Sequence, residues 1–157
     1  MERELADSAA ARTGDYRLGY VALAAEAPPG YLLHPTDRTA GDVSRNRTEE
    51  TFELVRRGLF PDRPSRYTCV YAAPTIEAVR SWRRCRTYIY AVALTGNIFA
   101  ANSELWTLAV EYSDRPDRVV EIASAYWSGT PGHPALVELL VDGSVLILEQ
   151  LEPAEAP

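Results

Sequence analysis

Few residue types in this chain can do chemistry, and their placement narrows what that chemistry is. His34 and His133 are the two histidines. His34 stands in Leu33-His34-Pro35-Thr36-Asp37-Arg38, where an imidazole, a hydroxyl and a guanidinium follow one another closely. A neutral imidazole offers one donor and one acceptor, which suits a hydroxyl group. Thr36 and the fork of Arg38 suit hydroxyl and phosphate oxygens. Tyr71 offers a flat face on which a ring can stack. Glu121 is a carboxylate of the kind that stabilises positive charge growing in a transition state. Each has a plainer alternative: a strand-end His, solvated loop residues, a core Tyr among nine tyrosines, and a solvent-facing strand Glu.

Other chemistries find no support. No Cys/His spacing suggests zinc, and Cys69 and Cys85 make no disulfide framework. Cys69 lies in an apolar run and reads as a buried thiol, while Cys85 sits in the Arg-rich patch Arg80, Arg83, Arg84 and Arg86. That patch is either a solvated helix face or a greeting surface for anionic groups. The glycine-rich dinucleotide fingerprint, the P-loop and the Gly-x-Ser-x-Gly elbow are all absent. The net charge is −6, and every cationic side chain is Arg. Such a balance disfavours general nucleic-acid affinity. His133, between Gly132 and Pro134, reads as a turn residue, and Trp82, Trp106 and Trp127 as packing residues. The apolar runs are of strand length, far from the roughly 20 residues of a membrane helix. Met1-Glu2-Arg3-Glu4-Leu5 opens without an apolar segment behind a basic one. The expectation is a cytoplasmic or delivered protein without a usual secretion signal.

These residues must be held by elements legible in the pattern. At 157 residues the chain is expected to be one domain, with residues 1–14 and 152–157 frayed. Arg17 to Ala24 and Tyr31 to His34 read as short strands around the Pro28-Pro29-Gly30 turn. Asn46 with Glu49 reads as a capping pair for a helix carrying Phe52, Val55 and Leu59. Arg66 to Tyr71 reads as a strand, and Thr75 as the N-cap of a short helix reaching about Arg84. Thr87 to Leu94 is the clearest strand, with Tyr88, Tyr90, Val92 and Leu94 on one face and Ile89, Ala91 and Ala93 on the other. Glu104 to Tyr112 fits helix or strand, and Val119 to Tyr126 alternates as a strand does. Val137 to Val141 and Val145 to Glu149 flank Asp142-Gly143-Ser144, a hairpin signal. The sum is α+β: a mostly antiparallel, two-sheet core with short helices inserted early.

Three segments, in order, resemble the ADP-ribosyltransferase superfamily. Thr87 to Asn102 resembles the central strand and loop of the cholera- and pertussis-toxin branch, which carries its catalytic Glu further on, at the position of Glu121. Tyr71-Ala72-Ala73-Pro74-Thr75 looks like the Tyr-containing strand of the rifamycin-modifying branch. Leu33 to Arg38 falls where that superfamily carries its His or Arg. The resemblance covers roughly residues 30 to 128. It implies an NAD-dependent transferase with His34, Tyr71 and Glu121 as site residues. His34, Thr36, Arg38, Tyr71, Thr75 and Asn97 would hold NAD, no metal is implied, and the acceptor is unknown. Tyr71 would stack on nicotinamide, Glu121 would face the ribose, and Pro61 to Arg66 with the loop after Asn97 would border the cleft. Departures matter. Val119 stands where arginine-modifying members carry a second Glu, so a non-arginine acceptor is implied. Pro35 lacks the N–H that usually holds the nicotinamide amide, and Ala73-Pro74 replace hydroxyls. Asn102 aligns loosely with another acid position. An NAD glycohydrolase, a non-catalytic binding module of the same fold, and an unrelated α+β domain stay open as alternatives.

Overall fold

The structure, a computed structural model, describes residues 16–34, 43–82, 88–129 and 132–152. The described chain runs β1 (Arg17–Leu23), α1 (Val43–Leu59), β2 (Val70–Ala72), α2 (Ile76–Ser81), β3 (Tyr88–Asn102), α3 (Ser103–Glu111), α4 (Pro116–Ser128), a short 3-10 turn (Pro134–Leu136) and β4 (Val137–Glu152). All pairings are antiparallel, in the order β1-β3-β4-β2. The α+β expectation holds at this level, but hydrogen bonding makes one four-stranded sheet rather than two.

Its two edges meet. Tyr20 of β1 and Ala73, just past β2, exchange backbone hydrogen bonds of 2.9 and 2.7 Å. A sheet whose outer strands touch must curl, and the curl gives it an inside. Alternation decides who goes there. Val21, Tyr90, Val92, Leu94, Val70, Ala72, Leu139, Val141, Val145 and Ile147 form the inner cluster, with Leu33 added from the loop. Tyr90 spends its hydroxyl on the amide of Ala27 at 2.8 Å. The opposite face, at Phe99, Ala101 and Leu140, packs under α1, α3 and α4 with Phe52, Val119, Ile122, Tyr126 and Trp127. Tyr88, Tyr90, Val92 and Leu94 share one face as expected, and it is the face that turns inward.

Four local expectations are corrected. Val119 to Tyr126 is helix, not strand. Pro116 sits in the first turn and Asp117 favours the positive helix end. Val119, Ile122, Ala123, Tyr126 and Trp127 are buried at helical spacing, and Gly129 closes the helix in the left-handed region at φ 85°. Asp142-Gly143-Ser144 is no hairpin turn but the middle of β4, opposite Asn97, Gly96 and Thr95. Gly143 is there for closeness: a Cβ on it would lie 2.0 Å from the Thr95 carbonyl oxygen. Gly96 opposite has φ 103°, and the β3–β4 ladder runs unbroken through the point where these two side-chain-free residues face each other. The helix expected to start at Asn46 begins at Val43, which puts Asn46 inside it and frees Glu49 from capping. Arg66 to Thr68 is a turn, and β2 is only Val70–Ala72.

Smaller outcomes follow the same logic. Thr75 caps α2 as expected, accepting from the Ala78 amide, but α2 stops at Ser81 rather than near Arg84. Glu104 to Tyr112 resolves as helix α3 with its C-cap, and Asn102 is the N-cap of that helix. The Tyr31–His34 strand shrinks to one bridge, Leu32 to Leu146. Glu152, expected to fray, is paired with Ile89 and bonded by Arg80. The residues before Tyr16, those beyond Glu152, and Cys85 with Arg83, Arg84 and Arg86 lie outside the described residues.

Candidate functional site

Among the described residues, the most charge-rich interior is built around a side chain that the motifs did not single out. Arg66 begins the turn before β2, and the two residues after it fold back so that Thr68 and Cys69 donate to the Ser65 carbonyl. The turn directs the Arg66 side chain under the helices. Its Nη1 donates to Glu138 at 2.7 Å and to the Tyr126 hydroxyl at 2.6 Å. Its Nε and Nη2 donate to Glu49 at 2.9 and 3.2 Å. Tyr126 also donates to Glu138, at 2.5 Å. Aromatic faces surround the plane: the guanidinium carbon is 4.0 Å from the Trp106 ring centre, 5.2 Å from Tyr71, 5.4 Å from Tyr126 and 6.0 Å from Phe52. This is a cation cage made by α1, β2, α3, α4 and β4 together.

Its electrostatics follow from burial. Burial works against the charge on Arg66, but Tyr126, Tyr71, Glu138 and Glu49 outweigh it and hold the guanidinium well above its usual pKa. Burial pushes the Tyr71 and Tyr126 hydroxyls well above the usual tyrosine range, against the pull of Arg66. Among the described residues no buried side-chain nitrogen or oxygen lacks a partner.

A second cluster braces the loop that leads into the cage. Glu53 receives Arg56 through two bonds, Nε at 2.9 Å and Nη2 at 2.7 Å, with Arg57 at 3.1 Å and Ser65 at 3.0 Å. The paired Arg56 is the main reason its carboxyl titrates below the usual range. Arg56 also donates to the carbonyls of Pro61 and Arg63, and Arg63 lies over Phe99, 4.4 Å from the ring centre. Asn97 donates to the Asp62 carbonyl at 2.7 Å, so the loop from Pro61 to Arg66 and the residues around Asn97 do lie together.

The residues proposed from the sequence are distributed unevenly. Tyr71 faces the helical layer, bounding the cage, with its hydroxyl donating to the Arg66 carbonyl at 3.2 Å. His34 is exposed, set edge-on to Tyr31 at 6.3 Å, and its segment lies along β4 through the Leu32–Leu146 bridge. Tyr71 pairs with Leu140 of the same strand edge. Glu121 stands apart, its side chain 67% exposed on α4 and bound to Arg118 at 2.8 Å. The carboxylates that act on Tyr71 are Glu138 and Glu49. The oxygen of Thr75 is used as a helix cap, and Asn97 is exposed at the loop. Thr36 and Arg38 lie outside the described residues. Of the tryptophans, Trp127 is fully buried and donates to the Phe52 carbonyl at 2.8 Å. His133 accepts from the Ala135 amide, a turn role as expected. Among the described residues no cluster of His, Cys, Asp or Glu is placed to hold a metal, and no helix is long and apolar enough to cross a membrane.

A family model matches residues 32–153, well over half of the chain. The chain belongs to the DUF2441 family. That family is described as a protein of unknown function. No curated protein matches the chain. The DUF2441 match takes in His34 and every cage residue, Glu49, Phe52, Arg66, Tyr71, Trp106, Tyr126 and Glu138, but not β1. The cage therefore belongs to the portion that defines DUF2441. Its missed members carried one sequence signal. Glu138 is an acid inside an otherwise apolar strand run, and such a residue is buried only when paired.

Proposed function

We propose that this domain is of the ADP-ribosyltransferase type and uses NAD as a co-substrate, transferring ADP-ribose to an acceptor other than arginine. One observation carries the reading beyond the sequence resemblance. The segments bearing His34 and Tyr71, remote in sequence, lie along one edge of β4, and that strand carries a carboxylate, Glu138, on the side Tyr71 faces. An aromatic face and a carboxylate together are what cleavage of a ribosyl–nicotinamide bond needs. The ring stacks on the first, and positive charge growing on the ribose is met by the second. In this reading Glu138 takes the part first given to Glu121, whose carboxylate faces solvent. His34 is left to bind a ribose hydroxyl.

A second reading, a non-catalytic binding module of the same type, is favoured by a different observation. Arg66 fills the space among Tyr71, Trp106 and Tyr126 and closes the network on Glu138. NAD binding and nicotinamide release separate the two, measured on wild type beside Tyr71→Ala, Glu138→Gln and Glu121→Ala. The transferase reading expects slow nicotinamide release by wild type, lost in Tyr71→Ala and Glu138→Gln and kept in Glu121→Ala. Absence of both NAD binding and cleavage in folded wild type overturns it.

A further inference from the structure

We infer that the Arg66 cage is a receptor for a planar cation, held closed in this structure by the chain's own guanidinium. Two carboxylates and four aromatic rings converge on one flat charge. Glu138 and Glu49 bond opposite ends of the guanidinium, and Trp106 lies 4.0 Å from its carbon. A scaffold alone has no need of this, because a buried ion pair costs about as much in desolvation as it returns and apolar side chains fill such volumes as well. What the arrangement is good at is holding a flat, singly positive, desolvated group whose N–H groups reach the two acids: a neutral ring brings no charge, and a quaternary ammonium, though aromatic rings attract it, has no N–H to offer Glu138 and Glu49.

Arg66 hangs from a turn rather than from a helix or strand, and Glu49, its partner on the α1 side, is the more exposed of its two acids. Glu49, Glu50 and Glu53 all act on Tyr67, the residue next to Arg66, so acids of α1 border the turn, and Glu50 is the exposed one. The natural guest of matching shape and charge is a pyridinium ring such as the nicotinamide of NAD. Naming it rests on the reading in the preceding subsection; the cage itself does not. Arg66 then sets the affinity, because a guest must outcompete an internal cation before Tyr71 and Glu138 become available to it.

The test removes the resident and offers substitutes. Arg66→Ala and Arg66→Gln are melted with millimolar 1-methylnicotinamide or guanidinium, both planar cations, and with neutral nicotinamide or tetramethylammonium as comparisons. The planar cations should raise the melting temperature of both variants by about 5 °C and leave wild type unmoved, with no rise from the comparison compounds. If Arg66→Ala is unfolded at the outset, the planar cations should restore its far-ultraviolet circular dichroism, and Arg66→Gln carries the melting measurement. Equal effects of planar and tetrahedral cations on both variants overturn the receptor. The two proposals fail separately. Cation rescue without NAD binding by any variant sinks the NAD reading and leaves the receptor, while NAD cleavage without cation rescue does the reverse.

Discussion

Truncating Glu138 to alanine should cost about 3 kcal/mol of folding stability. Breaking a buried ion pair by removing one partner leaves an uncompensated charge and costs about 3–5 kcal/mol. The lower end applies, because Arg66 keeps Glu49, bonded at 2.9 and 3.2 Å. The Tyr126 hydroxyl, which donates to Glu138 at 2.5 Å, loses that acceptor as well and is fully buried. For a chain of this size about 3 kcal/mol corresponds to a fall in melting temperature of roughly 6–12 °C. Glu138→Gln keeps an acceptor oxygen and should lose about 1–2 kcal/mol. The double replacement Arg66→Met with Glu138→Leu should recover part of the loss, since the charge then left without Arg66 is that of Glu49, the more exposed of the two acids. Urea unfolding of these proteins, with the single replacements Arg66→Met and Glu138→Leu added to close a double-mutant cycle, gives all the terms. A loss below about 1 kcal/mol for Glu138→Ala, with wild-type unfolding cooperativity, would mean that Arg66 is solvated there and the cage is not closed.

Two further perturbations test other parts of the fold. Gly143→Ala places a methyl carbon 2.0 Å from the Thr95 carbonyl oxygen and should destabilise by about 2–3 kcal/mol, whereas Gly58→Ala, with nothing within 4 Å, should stabilise α1 by about 0.5–1 kcal/mol; urea midpoints that fail to differ in sign refute the close-approach argument. Glu53 titrates below the usual carboxylate range when folded, so its stabilisation is complete above the unfolded value, about 4.3, and is lost as pH falls through the lower folded value. Melting temperatures of wild type should therefore drop more steeply than those of Glu53→Gln as pH falls below about 4, and parallel curves would contradict the pairing.

What the pattern of residues could and could not reveal follows from how local each signal is. The inward row Tyr88, Tyr90, Val92 and Leu94 was legible because alternation within one strand is decided by burial of one face. Thr75 was legible because a cap is a three-residue event. The run Val119 to Tyr126 misled because β-branched residues at adjacent positions mimic alternation, while the deciding signals, Pro116 before it and Gly129 after it, lay outside the run. Asp142-Gly143 misled because a glycine needed for the approach of β3 looks the same as one needed for a turn. The cage was illegible for a stronger reason. Arg66, Glu49 and Glu138 come from a turn, a helix and a strand, and only the packing of α1, α3 and α4 on the sheet makes them neighbours. Tyr71 stands in a short motif, whereas the carboxylate beside it, Glu138, stands in an apolar strand run that carries none.

The meeting of Tyr20 with Ala73 bears on how much of the chain can stand alone. The DUF2441 portion begins at residue 32, after β1 has ended. A polypeptide reduced to that portion would leave the β1 side of β3 bare, a row of unpaired peptide groups from Tyr88 to Leu94 flanked by Tyr, Ile, Val and Leu side chains. Bare edges of that composition recruit strands from other molecules. In this chain β1 thus acts as a guard against self-association as well as a wall of the core.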